Sequence, residues 1–287
     1  MVRDALITAH GWDANAVELV PMVASGDKIQ DRALADIGGK ALWTRELDRA
    51  MLDGEIDAAV HSMKDVETLR DPAFQLAAVL PRADVRDRLI GATSIKGLAH
   101  GARVGTSSPR RAAQLQRLRS DLVVGLLRGN VATRLSRIAD GSHDATLLAA
   151  AGLERLGMEV GQPLSTDMWL PAPQQGVIGI EVVRAEIIPI FAAINHAPTM
   201  AALLCERALL SALGGDCRSP IAALAEVRGN RLHLDAQIYS ADGSAMEAAA
   251  WQGDVADAQN AARDMARDLL SRADDRITAL FQPCTPS

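Results

Sequence analysis

Short apolar runs alternating with stretches of helical spacing constrain this chain more than any other feature. Val17 to Val23, Asp57 to Val60 and Gln75 to Leu80 each read as a strand. Between them, Thr44 to Leu52 has helical spacing and stops near Gly54. Ala102–Val104, Leu122–Val124 and Ala145–Leu148 form a second set of strand-like runs, with helices expected near Arg110–Leu118 and Thr133–Ala139. Such alternation predicts α/β sheets with parallel elements. The charged, turn-rich stretch Pro81 to Gly91 reads as a crossing between domains. Leu170-Pro171-Ala172-Pro173 reads as a return crossing into a strand over Val177–Val182.

Asn195-His196-Ala197-Pro198 reads as a hinge into a last domain, with a helix over Met200–Leu213. Leu232, Leu234, Ala236 and Ile238 alternate with polar residues, as in a half-buried strand. Ala258, Ala262, Met265, Leu269, Ala273, Ile277 and Leu280 recur every three or four residues and predict one closing helix. The expected division is a discontinuous first domain (1–82 with 172–197), a second at 83–171 and a third at 198–287. A chain of 287 residues, 48% of them hydrophobic, buries such cores without metal or disulfide help.

Charge is unevenly placed. The chain carries −6 overall, yet residues 103–137 hold eight arginines, no lysine and one acid, Asp121, for a local +7. Arginine's planar fork holds carboxylates bidentately. Gly105-Thr106-Ser107-Ser108-Pro109-Arg110-Arg111 lies between a strand and a helix, where hydroxyls and free N–H groups form an anion site. Leu127 to Arg134 is a second such turn. Arg117, Arg119 and Arg137 read instead as a solvated face. Two anion-binding turns from one sheet point to a polycarboxylate or phosphate. Nucleic acid is disfavoured by the acidic balance and an aromatic content of 3%. No run approaches a membrane span and no signal peptide is evident. Three widely spaced cysteines, Cys205, Cys217 and Cys284, indicate a reducing compartment, by default the cytoplasm. The six histidines show no metal-ligand spacing.

Two further segments carry chemistry. Val60 to Val66 follows a buried-looking strand and places Asp65 where ligands bind in open α/β sheets. There its carboxylate would stabilise a developing cation, although Ser-x-Lys-Asp spacing alone equally fits a surface ion pair. Cys217 sits in a loop bounded by Gly214, Gly215 and Pro220, beside Arg218, which favours the thiolate. Context alone leaves it open between a reactive thiol and an inert, partly buried one.

Taken in order, these segments resemble the hydroxymethylbilane synthase (porphobilinogen deaminase) family. The matching text is Gly26-Asp27 with the run to Gly38-Gly39-Lys40, Asp57 to Val66, Arg82 to Asp87, Val104 to Arg111, Leu127 to Leu135, Asp144 to Gly157, Leu170 to Glu181 and the Cys217 loop. The resemblance implies two periplasmic-binding-protein-like lobes around a cleft and a smaller α+β C-terminal domain carrying the cysteine. It implies a monomeric transferase that joins four porphobilinogen molecules into linear hydroxymethylbilane, releasing four ammonia, for porphyrin and haem biosynthesis. It implies a dipyrromethane cofactor held by a thioether, here at Cys217, and no metal. Asp65 matches the catalytic carboxylate. Ser62, Lys64, Ser108, Arg110, Arg111, Arg128, Arg134 and Arg155 match groups gripping acetate and propionate. Thr106, Ser107, Ala149 and Gln175 match the pyrrole lining.

The chain departs from the family pattern at its start. Met1 to Leu6 corresponds to a point inside the family's first helix, so the preceding strand and its Arg and Ser are absent. A misassigned start or a truncated form accounts for this, with an uncovered sheet edge as the expected consequence. Trp43, Glu67, Val85 and Gln174 replace the usual Phe, Pro, Pro and Gly. A two-lobed binding module and a truncated, non-catalytic homologue are the competing readings; the binding module needs neither Cys217 nor a third domain.

Overall fold

The computed structural model describes residues 1–22, 44–215 and 219–281. Cys217, Trp43, the run from Gly26 to Lys40 and Cys284 lie outside the described residues.

Three sheets organise the described residues. The first has the order β1–β8–β2, formed by Ala59–Ser62 (β1), Gln75–Val79 (β2) and Ile178–Val182 (β8), with both pairs antiparallel. The α/β class expected from the sequence holds, but among the described residues this sheet lacks the parallel pairing expected of it. A return crossing of only a few residues brings β8 in from the second sheet, so chain direction is set by that entry point and not by a local βαβ unit. Helix α1 (Val2–His10) and the short helix α6 (Ile188–Ala192) cover one face through Leu6, Phe191, Ile180 and Val182. Helix α2 (Arg45–Leu52) sits beside β1 and ends before Gly54, as its spacing predicts.

The strand expected at Val17–Val23 does not form in residues 17–22. Leu19 and Val20 are exposed, and β1 pairs only with β8 among the described residues. Apolar content supplies β propensity, but a strand also needs a neighbour for its N–H and C=O groups.

The second sheet has the order β5–β4–β6–β3–β7. Its strands are Asp87–Ile90 (β3), Arg103–Gly105 (β4), Val123–Gly125 (β5), Ala145–Ala149 (β6) and Gln162–Pro163 (β7). β4 is parallel to β5 and β6, whereas β3 is antiparallel to β6 and β7. Helices α3 (Pro109–Leu118), α4 (Val131–Ala139) and α5 (Ala150–Arg155) follow β4, β5 and β6. Leu89, Val104, Leu115, Leu147 and Trp169 form the core. The expected crossing at Pro81–Gly91 is shorter than predicted: Asp87–Ile90 is a strand, and Asp87 is paid for in that buried position by arginines described below.

The third sheet is an antiparallel meander, β9 (Ile221–Arg228), β10 (Arg231–Tyr239) and β11 (Met246–Asp254), in the order β11–β10–β9. The alternating residues of β10 are buried as predicted, against helices α7 (Ala197–Leu213) and α8 (Ala258–Arg272). Helix α7 starts three residues earlier than its spacing suggests. The His196 side chain accepts from Thr199 N, and Pro198 sits in the first turn, where its missing N–H costs nothing. The closing helix is two helices. Ala273 is extended, and Asp274 Oδ1 accepts from Arg276 N at 2.9 Å, starting a short helix at Asp275–Thr278. Aspartate competes with the helical ladder for backbone donors, and periodicity does not register that competition.

Candidate active site

The carboxyl ends of β1, β4, β5 and β6 carry most of the residues singled out from the sequence. That is the ligand-binding end of an open α/β sheet. Ser62 closes β1, and Met63–Asp65 forms a 3-10 turn. Met63 N donates to Val177 O at 3.0 Å, and the buried Met63 side chain packs over Gly179. A Cβ at Gly179 would lie 2.3 Å from Met63 Sδ, so a bare glycine on β8 is what lets the turn lie flat. Lys64 is half-buried and Asp65 is exposed.

After β4, Thr106 is buried, and its Oγ1 accepts from Ser108 N at 3.1 Å. Ser108 caps α3 by accepting from Arg111 N, and Pro109 takes the first helical position, as the turn chemistry predicts. After β5, Asn130 Oδ1 accepts from Thr133 N at 2.9 Å and caps α4. Gly129 has φ +105, and a Cβ there would meet Thr133, so this turn needs glycine. Arg134 reaches back from α4, donating Nε to Gly129 O at 2.9 Å and Nη2 to Ser107 Oγ at 3.4 Å. Ala149 ends β6 directly opposite Asp87, and Arg155 ends α5.

The two adjacent arginines behave differently from the rest. Arg110 and Arg111 are buried, and both pair with the fully buried Asp87. Arg110 also donates to Gln114 Oε1 and Leu170 O, and Arg111 to Leu147 O. Burial alone would raise the Asp87 carboxyl, but the Arg111 and Arg110 charges and hydrogen bonds hold it well below the carboxylate range. Asp87 stood outside the residues singled out from sequence. The available signal was an acid flanked by Arg86 and Arg88 at the start of a short apolar run.

The other cations are less compensated. Burial, then Arg111 and Arg128, push the Arg134 guanidinium down to about 10. Burial lowers Lys64, with Asp65 and Asp87 opposing and Arg111 and Arg110 reinforcing the effect. Burial lowers Arg155, opposed by the charge of its neighbour Glu154 and then by that of Asp65, which places Asp65 and Arg155 in each other's field. Positive charge held this close, in partly desolvated surroundings, is relieved by acidic ligands.

Gln175 is buried where the chain returns to the first sheet. Its Nε2 donates to Val85 O at 2.7 Å and Asp87 Oδ1 at 2.9 Å, and Lys64 Nζ donates to its Oε1 at 3.4 Å. Next to it, Gln174 has φ +66, the one non-glycine in the left-handed region among the described residues. Its N donates to Glu206, and Arg207 Nη1 donates to its Oε1 at 2.9 Å. Arg82, in the outgoing crossing, donates to Gln175 O, Glu206 and Ala225 O. Both crossings are thus tied to α7 and β9. Of the arginines read as a solvated face, Arg117 and Arg137 are exposed. Arg119 instead pairs with Asp121 and donates to the carbonyls of Ile95, Lys96 and Leu98.

Two family models match the chain: "Porphobilinogen deaminase, dipyromethane cofactor binding domain" over residues 1–187, and "Porphobilinogen deaminase, C-terminal domain" over residues 200–271. The porphobilinogen deaminase of Sphingopyxis alaskensis is 62% identical over 253 residues, covering 85% of this chain and 80% of its own. That of Nitrobacter hamburgensis is 45% identical over 286 residues, covering 98% and 90%.

Proposed function

This chain belongs to the porphobilinogen deaminase family, and we propose that Asp65 is its catalytic carboxylate, with Lys64 and the arginines of the second lobe receiving the carboxylates of the reacting pyrroles. The reaction joins four porphobilinogen molecules into hydroxymethylbilane with loss of four ammonia. The observation that carries the residue assignment is one exposed acid, Asp65, in the field of Lys64 and Arg155, beside a cluster of cations around Arg111, Arg128 and Arg134.

The donor set fits the family's dipyrromethane. Each pyrrole ring brings two carboxylates, and the Arg134 charge is opposed by burial and two like charges, a state that an acidic ligand relieves. Buried Arg110 Nε has no hydrogen-bond partner among the described residues. Arg128, Arg134, Arg155, Lys64, Ser62 and Ser108 would hold carboxylates. Thr106, Ser107 and Ala149 would line the rings, and Cys217 would be the point of attachment. When bound, the dipyrromethane supplies the pyrrole terminus that incoming substrate units extend.

Asp65 would favour the positive charge that develops as ammonia leaves. At ~4 Å and an effective dielectric near 20, one such pair is worth about 4 kcal/mol. Its neighbour Lys64 supplies an N–H donor for substrate carboxylate. Arg110 and Arg111 serve from beneath, since their donors are already turned inward.

The domain division at 82/83, 171/172 and 197/198 is supported by the three sheets and two crossings. The chain acts on a small molecule, as a monomer in the cytoplasm, without nucleic acid. No helix among the described residues is long and apolar enough to cross a membrane.

Purified protein assayed with porphobilinogen tests the reading. Bilane should form, intact mass should show a dipyrromethane on Cys217, and Asp65→Ala should fold normally without turnover. Undiminished bilane formation by that variant would remove Asp65 from its role.

A further inference from the structure

Asp87 has no place in the chemistry assigned above, yet it is the most heavily bonded side chain near it. Five donors converge on its carboxylate: Arg110 Nη2 at 2.8 Å, Arg111 Nη2 at 2.7 Å and Nε at 3.1 Å, Trp169 Nε1 at 2.8 Å and Gln175 Nε2 at 2.9 Å. These donors come from three places in the chain: the start of α3, the end of the second lobe and the return crossing. A carboxylate so fully engaged has no remaining capacity for ligand.

We infer that Asp87 is a positioning residue: it anchors Arg110 and Arg111 within the second lobe and, through the Gln175 amide, sets Lys64 of the first lobe beside them. This rests on the family's reaction as the activity of the chain.

The Gln175 amide is oriented by its surroundings. Its Nε2 faces two acceptors, Val85 O and Asp87 Oδ1, so its oxygen is the atom left for Lys64. Lys64 therefore meets an acceptor only while Asp87 and Val85 O hold the amide this way round. Charge acts in the same direction. Arg110 and Arg111 repel the Lys64 ammonium, and Asp87 is the acid that offsets them from the second lobe. Without it, two buried guanidinium groups would face a lysine with no intervening negative charge. Lys64 precedes Asp65, so its position fixes the turn that carries the reacting acid.

Two variants of the full-length holoenzyme test this. Asp87→Asn keeps the shape and removes the charge. Gln175→Leu removes the bridge and leaves the other four donors on Asp87. Lys64 is followed by trace acetylation with acetic anhydride across pH, read by mass spectrometry, and bilane formation is followed as kcat and KM. For Asp87→Asn, the Lys64 profile should move to lower pH by about one unit, with KM raised about tenfold. For Gln175→Leu, Lys64 should react faster at every pH and KM should rise about fivefold, with kcat less affected, since the scissile chemistry is untouched. A purely structural role would lower thermal stability while leaving both readouts of the folded protein at wild-type values. A Gln175→Leu protein that overlays wild type in Lys64 reactivity and KM overturns the proposal, whether or not Asp87→Asn folds. Failure of the wild-type chain to make bilane would instead count against the activity, and the Lys64 profiles would still decide the role of Asp87.

Discussion

Replacing Arg82 with Met removes one side chain from the outgoing crossing and exposes how the three units are joined. Glu206, on α7, is fully buried. Arg82 Nη1 and Nη2 donate to its two oxygens at 2.7 and 3.2 Å. Ala225 N donates to it at 2.7 Å, and Gln174 N donates as well. Arg82 also donates to Gln175 O at 2.9 Å and Ala225 O at 3.1 Å. The substitution leaves a buried carboxylate without its cation, a loss worth about 3–5 kcal/mol. Replacing both partners, Arg82→Met with Glu206→Gln, avoids the stranded charge and keeps an acceptor for the backbone donors. The double variant should therefore cost less than the single Arg82→Met change, giving a coupling of about 1–3 kcal/mol. Urea unfolding followed in two backgrounds, one keeping Trp169 in the second lobe and the other Trp251 on β11 as the single tryptophan, reads both the loss and its location. The two probes should separate in Arg82→Met as the third unit comes free. A loss below about 1 kcal/mol, or strict additivity in the double variant, refutes the assignment of this pair as the joint.

Substitutions at three other positions probe the site's supports. Gly179→Ala pushes a Cβ against Met63 and should cost about 1–3 kcal/mol in thermal unfolding, with kcat reduced further than stability explains because the Lys64–Asp65 turn shifts. Gln174→Gly relieves a left-handed residue but loses the Arg207 bond, and should be about 1 kcal/mol less stable than wild type. Gln174→Ala keeps the strain and loses the bond, so it should rank lower still in urea unfolding. Glu181 is buried, and its bonds to His61 and Arg70 outweigh that burial and hold it at about 2, below its usual value. A lowered carboxyl stabilises the fold above its unfolded pKa and gives that stability up as pH falls. Roughly 3 kcal/mol should therefore be lost between about pH 4.5 and pH 2, a slope that Glu181→Gln should flatten in acid denaturation.

Local chemistry was legible along the chain. The apolar runs located β2, β6, β8 and β10, helical spacing located α3 and α4 to within two residues, and Pro109 marked the start of α3, because periodicity and first-turn chemistry act between near neighbours. The Arg-bearing turns were equally visible, since an anion site at a helix start needs only neighbours in sequence. Other properties depended on residues far apart. Residues 17–22 have strand composition, but pairing is decided by a partner, which composition does not contain. Arg110 and Arg128 look alike in sequence. Only the fold turns Arg110 inward onto Asp87, 23 residues away, and brings Gln175 to the same carboxylate from 88 residues away. Burial raises the cost of an unpaired charge, and which charges are buried together is a property of packing. The sequence by itself determined the α/β class, the family and the chemistry available at the strand ends; tertiary structure alone decided which of those charges face a ligand and which hold the lobes in place.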